Sequence, residues 1–361
     1  MFKQRHLIWL LLIAGFFYVL TIGKSLLIPL VLAVFIWYLI NVLTDFLAKI
    51  PLGLRHSIPR PLAFTAALTV IAGSIYFIAN IITTNIAEVA AAAPAYQYNL
   101  EQLSRRIFAM IPFNEPLSVR KIMNNLDFAY VARIFAREVT SFFSKGAIVL
   151  IYLLFLFLEQ RSFGNKFLEL IRDQNRQLEI KHLIRHIDSD IRSYIGIKTV
   201  SSLVTALLSY LIFRSVGLNF ASFWAFLVFL FNYIPTIGSI IATILPSLLA
   251  LVQFESFGPF LVVSIGVTSV QQLIGNFLEP RFLGDRLNLS PLVILTSLAL
   301  WGKIWGIPGM LLCVPITAIA MIIFSHFPQT RAIAVALSRN GKIRAELEEV
   351  KNPVETQIEE N

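Results

Sequence analysis

Ser264, Thr268, Gln271, Gln272, Gly275, Asn276 and Glu279 are the residues of this sequence whose types and spacing could do chemistry. At about 100° per residue of helix they fall within roughly 140° of one another. The opposite side carries Val262, Val263, Val267, Val270, Ile274 and Phe277, while Ile265 falls within the stripe's arc. The chemistry of such a stripe is hydrogen bonding, with one carboxylate at its end to hold or reject a charge. A polar stripe on a membrane helix cannot face acyl chains without heavy cost. It faces protein or water, so it either glues helices together or lines a route for a polar solute. The cluster continues into "EPRFLGDRL", residues 279–287, where Glu279 and Arg281 flank Pro280, and Asp285 and Arg286 come after Gly284. Exposed pairs there would contribute at most about 1 kcal/mol each. A carboxylate in a semi-enclosed site instead needs a held cation, and the sequence offers Arg281. On that reading, loss of Arg281 costs stability that loss of Glu279 partly restores.

A second pattern is repetition. "NYIPTIGSIIATILPSLL", headed by Asn232, places Pro235, Gly238 and Pro246 in an apolar run. "WGIPGMLLCVPITAI" places Pro308, Gly309 and Pro315 similarly. Proline removes a donor and crowds the preceding turn, which frees carbonyls. In lipid those carbonyls need protein, water or a ligand. Paired Gly/Pro-broken segments point to the binding region of a transporter; the plainer reading is two kinks in ordinary packed helices.

Other candidates carry less. His182 and His186 stand four apart, a metal-capable spacing, but no Glu comes directly after the first and Arg185 adjoins the second, which fits a structural or solvated pair. No metal or cofactor site is expected. Gly302 and Gly306 have a helix-dimer spacing, but Lys303 and Pro308 make a turn the better reading. No phosphate loop, nucleophile–base set or redox cysteine pair occurs, and Cys313 is the one cysteine. Nothing supports an enzyme.

The elements that must position these residues are helices in a bilayer. Of 361 residues, 57% are hydrophobic and only 14% charged, with mean hydropathy +0.74, against about 25% charged in soluble domains. The net charge of +9 fits basic cytoplasmic loops better than nucleic acid. Lys3 and Arg5 precede an apolar core without a small-residue cleavage site, which reads as an uncleaved span. Stretches long enough for the hydrocarbon lie at 7–23, 25–44, 61–83, 140–159, 195–213, 219–234, 237–254 and 258–279. A broken stretch at 289–325 reads as two short spans or a re-entrant hairpin. With the N-terminus inside, 20 of the 30 Lys and Arg fall in cytoplasmic segments, although 84–138, placed outside, holds six basic residues. The expected organisation is N-terminal transmembrane helices (1–83), an extracytoplasmic amphipathic helical domain (84–138), a transmembrane helix (139–159), a cytoplasmic amphipathic segment (160–194), a transmembrane core (195–327) and a polar cytoplasmic tail (328–361).

"FNYIPTIGSIIATILPSLLALV", "GNFLEPRFLGDRLNLSPLVIL" and "WGIPGMLLCVPITAI", in this order, closely resemble the C-terminal signature of the autoinducer-2 exporter family. "SLLIPLVLAVFIWYLI" and "SDIRSYIGIKTVSSLVTALL" sit where that family has its second span and the approach to its fifth. The resemblance covers nearly the whole chain, apart from 84–138 and the tail. It implies an all-α, polytopic bacterial inner-membrane protein of about eight helical segments with Pro/Gly-broken or re-entrant hairpins, assembled as a homo-oligomer. The family is named for export of a furanosyl borate signal, and relatives are linked to other cargoes, including cation–proton exchange. The solute therefore does not transfer.

The resulting expectation is a secondary transporter of a small polar solute, with its pathway drawn from the residues singled out above. A cation–proton antiporter is the alternative. It usually needs a carboxylate deep in the membrane, whereas Asp45, Glu159, Glu255 and Glu279 lie near span ends. A membrane scaffold is the non-transport alternative, and it leaves the polar stripe without a reason.

Overall fold

The computed structural model describes residues 2–51, 58–110, 146–169, 173–284 and 287–341. Among them the chain is all helix apart from turns and isolated bridges such as Leu289–Ser338. The helices are α1 (Phe2–Ile22), α2 (Lys24–Ala48), α3 (Arg60–Met110), α4 (Gly146–Glu169), α5 (Gln174–Val216), α6 (Ala221–Phe231), α7 (Ile237–Phe254) and α8 (Phe257–Gln272). A π-helical turn, Leu273–Leu278, joins α8 to the short α9 (Glu279–Leu283). Then come α10 (Pro291–Trp305), α11 (Ile307–His326) and α12 (Arg331–Leu337).

Among the described residues, six helical stretches are long and apolar enough to cross a membrane: 24–48, 60–85, 174–216, 237–254, 257–283 and 307–326. Three apolar helices are shorter: 146–160, 221–231 and 291–305. The expected span at 219–234 is corrected here. Phe220 takes a left-handed conformation and Asn232–Thr236 form a corner. The 11 residues between them reach about 16 Å, half the roughly 30 Å of hydrocarbon. The 289–325 stretch is a helical hairpin, turned at Gly306 with φ +66°. Its 15-residue first arm reaches only about 22 Å. Two long helices pass beyond any bilayer: α3 with 51 residues and α5 with 43, about 76 and 65 Å. Residues 98–110 of the amphipathic stretch therefore continue α3 without a break. The rest of the proposed 84–138 domain, from 111 onward, lies outside the described residues, as does most of the tail.

The chain forms two compact units. The first comprises residues 1–42, 148–197 and 281–361. In it, α10 packs on α11, and the hairpin tip meets the end of α1 through Trp305 Nε1 donating to the Leu20 carbonyl at 3.1 Å. Ser297 Oγ donates to the Cys313 carbonyl, which Thr317 Oγ1 also engages. On the first half of α5, Asp188 pairs with Arg192 at 3.3 Å and hydrogen-bonds Tyr38 of α2.

The second unit comprises residues 43–147 and 198–280. Its core is Phe213, Leu218, Ala221, Ala225, Val228, Ala242, Ala250, Val263 and Val267, drawn from α5 to α8. Ile81 of α3 packs on Phe223 and Leu227. Further along α3, Tyr96 accepts from Asn219 Nδ2 at 2.9 Å, and Asn99 Nδ2 donates to the Val252 carbonyl at 3.2 Å. That clamp fixes one end of the unit; the polar residues of interest gather at the other.

Candidate functional site

The second half of α5 inverts the pattern of a helix in water. Val200, Leu203, Leu207 and Leu211 are exposed, while Ser201, Ser202, Thr205 and Ser209 are buried. A helix with lipid on one side and polar partners on the other looks like this, because hydroxyls in a low-dielectric interior need hydrogen bonds. Thr205 Oγ1 donates to the Ser201 carbonyl at 2.8 Å, and Ser202 Oγ accepts from Asn232 Nδ2 at 3.0 Å. One turn earlier, Thr199 Oγ1 and Tyr233 Oη lie 2.8 Å apart. The Asn232–Thr236 corner is thus fastened to α5 by two consecutive side chains.

Beside these bonds is the ion pair. Lys198 Nζ donates to both carboxylate oxygens of Glu279, at 2.8 and 3.0 Å, and Ser201 Oγ reaches one of them at 3.5 Å. The two side chains are only 12% and 17% exposed. The cation that holds Glu279 is therefore Lys198, 81 positions away, and not Arg281, which is exposed. Asp285 and Arg286 lie outside the described residues.

The π turn explains how Glu279 arrives there. The Glu279 N–H bonds to the Ile274 carbonyl, five residues back. A π turn holds one residue more than an α turn, so the helix beyond it is rotated back by about 100°. On an unbroken α-helix Glu279 would share the direction of Thr268 and Gln272, which are exposed. The extra residue swings it toward the side of Val263, Val267 and Ile274, which are buried. The polar stripe accordingly divides three ways. Gln271 accepts from Thr243 Oγ1 of α7 at 3.0 Å, and Ser264 lines a groove of about 310 Å³ with Thr243 and Ser247. Thr268, Gln272 and Asn276 stay on the surface, the last two bonded to each other. Glu279 alone reaches Lys198. Deleting exposed Phe277 should remove the extra residue and restore α geometry while leaving Glu279 on the inward side, so transport is expected to survive. Loss of transport in a folded deletion would give the π turn a part in the mechanism beyond aiming Glu279.

The broken segments are tighter than the sequence suggests. Around Pro235 the carbonyls of Val228, Phe231, Ile234 and Pro235 all accept backbone N–H groups, so the corner is a closed turn and not unwound backbone. Gly238 is buried against it. Pro246 and Pro315 lie buried inside α7 and α11. Nearby, Ser247 Oγ donates to the Thr243 carbonyl at 2.7 Å. Pro308 starts α11 and Gly309 is buried at the second corner. Pro280 is exposed. Asn232 and Glu279 thus meet on α5 in the second unit; Pro308, Gly309 and Pro315 belong to the first. Lys198, Thr199, Ser201, Ser202 and Tyr233 are not among the residues singled out from sequence, although the alternation of Ser/Thr with Val/Leu at helical period on α5 is there to read.

Known proteins share this chain's pattern. The AI-2E family transporter pattern matches residues 7–329. The chain belongs to the AI-2E transporter family. It is 28% identical over 333 residues to the AI-2 transport protein TqsA of Escherichia coli K12, covering 89% of this chain and 91% of that one. A Haemophilus influenzae protein, described only by class as a transport protein, is 31% identical over 292 residues, 78% and 83% of the two chains. A Borreliella burgdorferi protein of the same description is 32% identical over 251 residues, 68% and 67%. As an AI-2E transporter the chain is a multi-pass membrane protein of a transport family. Within it, the Lys198–Glu279 pair and the corner bonds cross-link α5 to the α6–α7 corner and to the start of α9.

Proposed function

We propose that this AI-2E transporter exports a small polar solute of the autoinducer-2 kind across the bacterial inner membrane, without ATP. The observation that carries the reading is the Lys198–Glu279 pair beside the Asn232–Tyr233 corner. Three side-chain pairs in one turn and a half of α5, Lys198–Glu279, Thr199–Tyr233 and Ser202–Asn232, fasten the tip of a short hairpin and the start of α9 to the same helix. Breaking them together would free one end of the second unit, which is how a gate at one end of a pathway works. The site residues act as parts of that gate: Asn232, Pro235 and Gly238 shape the hairpin tip, Gln271 and Pro246 set α7 against α8, and Glu279 is the latch. Thr268, Gln272 and Asn276, exposed on an otherwise apolar helix, face water or a second copy of the chain, in keeping with a homo-oligomer. The solute kind rests on the E. coli relative's name.

The test is flux in proteoliposomes, with autoinducer-2 compared against sodium and other small polyols, with and without a pH gradient. Uptake of autoinducer-2 against a polyol control supports the reading. Sodium–proton exchange alone would overturn it.

The latch lies at the cytoplasmic end if the termini are cytoplasmic, as the placement of Lys and Arg favours. Reporters fused at Gly53 and in the tail should then read inside, and one at Phe113 outside. These fusion points lie outside the described residues, and an inside signal at Phe113 would reverse the orientation.

A further inference from the structure

On α5, Lys198, Ser202, Thr205, Ser209 and Phe213 fall within roughly 80° of one another at helical pitch. Both ends of this row point into the second unit. Ser202 is bonded to Asn232, and Phe213 belongs to the core cluster with residues of α6, α7 and α8. The row is polar for three turns and then ends on the largest fully buried side chain of the described residues. Ser209 is 0% exposed, and its Oγ has no hydrogen-bond partner among the described residues. Trp224 Nε1, on a residue packed against the same core, is also buried without one. A hydroxyl sealed in an apolar core without a bond is unfavourable unless another state of the protein supplies the partner.

We propose that the buried α5 face from Ser202 to Ser209 is a solute-binding subsite, closed at one end by the Lys198–Glu279 latch and at the other by Phe213. This rests on the transport reading and adds the location of the subsite and its second closure. The ligand chemistry comes from the lining. The described buried groups along the row are hydroxyls and an amide, and the lysine and carboxylate neutralise each other at its mouth. Such a wall exchanges hydrogen bonds with a neutral, hydroxyl- or carbonyl-bearing molecule, and its one described charge pair is already neutralised. The cluster that Phe213 joins includes the small Ala225 and Val228 of α6 and Ala242 of α7, which lets helices part there without displacing large side chains at those three positions. Phe213 is the bulky member, and an aromatic plug behind a polar row stops water and solute from running through while the latch is open.

Thiol labelling tests this without knowledge of the solute. Cys313 is the one cysteine and is buried, so Cys313→Ser gives a background for Ser209→Cys and, as a lipid-face control, Leu207→Cys. The reagent is 2-hydroxyethyl methanethiosulfonate, small, uncharged and hydroxyl-bearing like the proposed ligand, applied to membranes holding the full chain. Ser209→Cys should label slowly alone and about tenfold faster when combined with Glu279→Gln or with Phe213→Leu, a shift in open population worth one factor of ten. Leu207→Cys should not respond to either change. Phe213→Leu keeps the site apolar, so it guards against loss of the fold that Phe213→Ala would risk. Equal labelling of the two cysteines in every background would overturn the subsite. If the Cys313→Ser protein still moved solute in that case, the transport reading would stand and only this inference would fall.

Discussion

Lys198→Ala is expected to abolish transport and to destabilise the protein by about 3 kcal/mol, the scale for removing one partner of a largely buried pair. The carboxylate of Glu279 would then sit 17% exposed with, among the described residues, the long Ser201 contact at 3.5 Å, and desolvation would no longer be offset. Glu279→Gln keeps the shape and removes the charge, leaving the ammonium without its counter-charge. It should fold and assemble, yet transport poorly because the latch no longer closes. The double variant Lys198→Ala/Glu279→Ala should regain much of the lost stability, since neither charge remains, without regaining transport. Arg281→Ala should change melting little, because Arg281 is exposed and is not the cation on Glu279. Thermal melting in detergent and flux in proteoliposomes separate these outcomes. Normal flux in Glu279→Gln, with the protein otherwise intact, would return the pair to a structural role.

The sequence makes the class legible and the contacts only in part. Long apolar runs force helices in lipid because no other open structure satisfies its backbone there, and the Pro/Gly corners at 232–236 and 305–309 stand where the chain turns. That Glu279 is held by a cation is also readable, because an unpaired charge at such a site is too costly. Which cation is not. Lys198 is 81 positions away, and the π turn that rotates Glu279 toward it leaves no mark in the residue types of "LIGNFL". Counting at 100° per residue places Glu279 with Gln272 and Asn276, and one extra residue per turn defeats that count. The short α6 is hidden for a different reason. Its apolar run continues through Tyr233 and Ile234 into α7, so hydropathy cannot see a corner that backbone geometry makes. The hydroxyl row on α5 is easily overlooked because Ser and Thr are common in membrane helices, and only burial separates a lining from a surface.

Gly238→Ala and Gly309→Ala should each prevent correct folding, with a cost above about 4 kcal/mol, the range reserved for a specific structural collision. A Cβ on Gly238 would stand 1.8 Å from the Phe231 carbonyl oxygen and 2.9 Å from Ile234 Cβ. On Gly309 it would stand 2.1 Å from the Trp301 oxygen and 3.0 Å from Trp305 Cβ. In both cases the nearest atoms are backbone, held by the turn's own hydrogen bonds, so no rotamer change relieves the clash. Gly302→Ala is the instructive contrast. Its Cβ would come 2.8 Å from Met310 Cε, the far end of a flexible side chain, and a cost of about 1 kcal/mol is expected. Gly73→Ala meets nothing within 4 Å and should be neutral or slightly stabilising through helix propensity. The series, read as folded yield and melting temperature, measures how rigid the two corners are. Rigidity matters to the mechanism: a corner that cannot flex transmits the release of Asn232 and Tyr233 from α5 to the whole α6–α7 hairpin. A folded, actively transporting Gly238→Ala would mean the corner itself yields, and the hairpin could not then move as one piece.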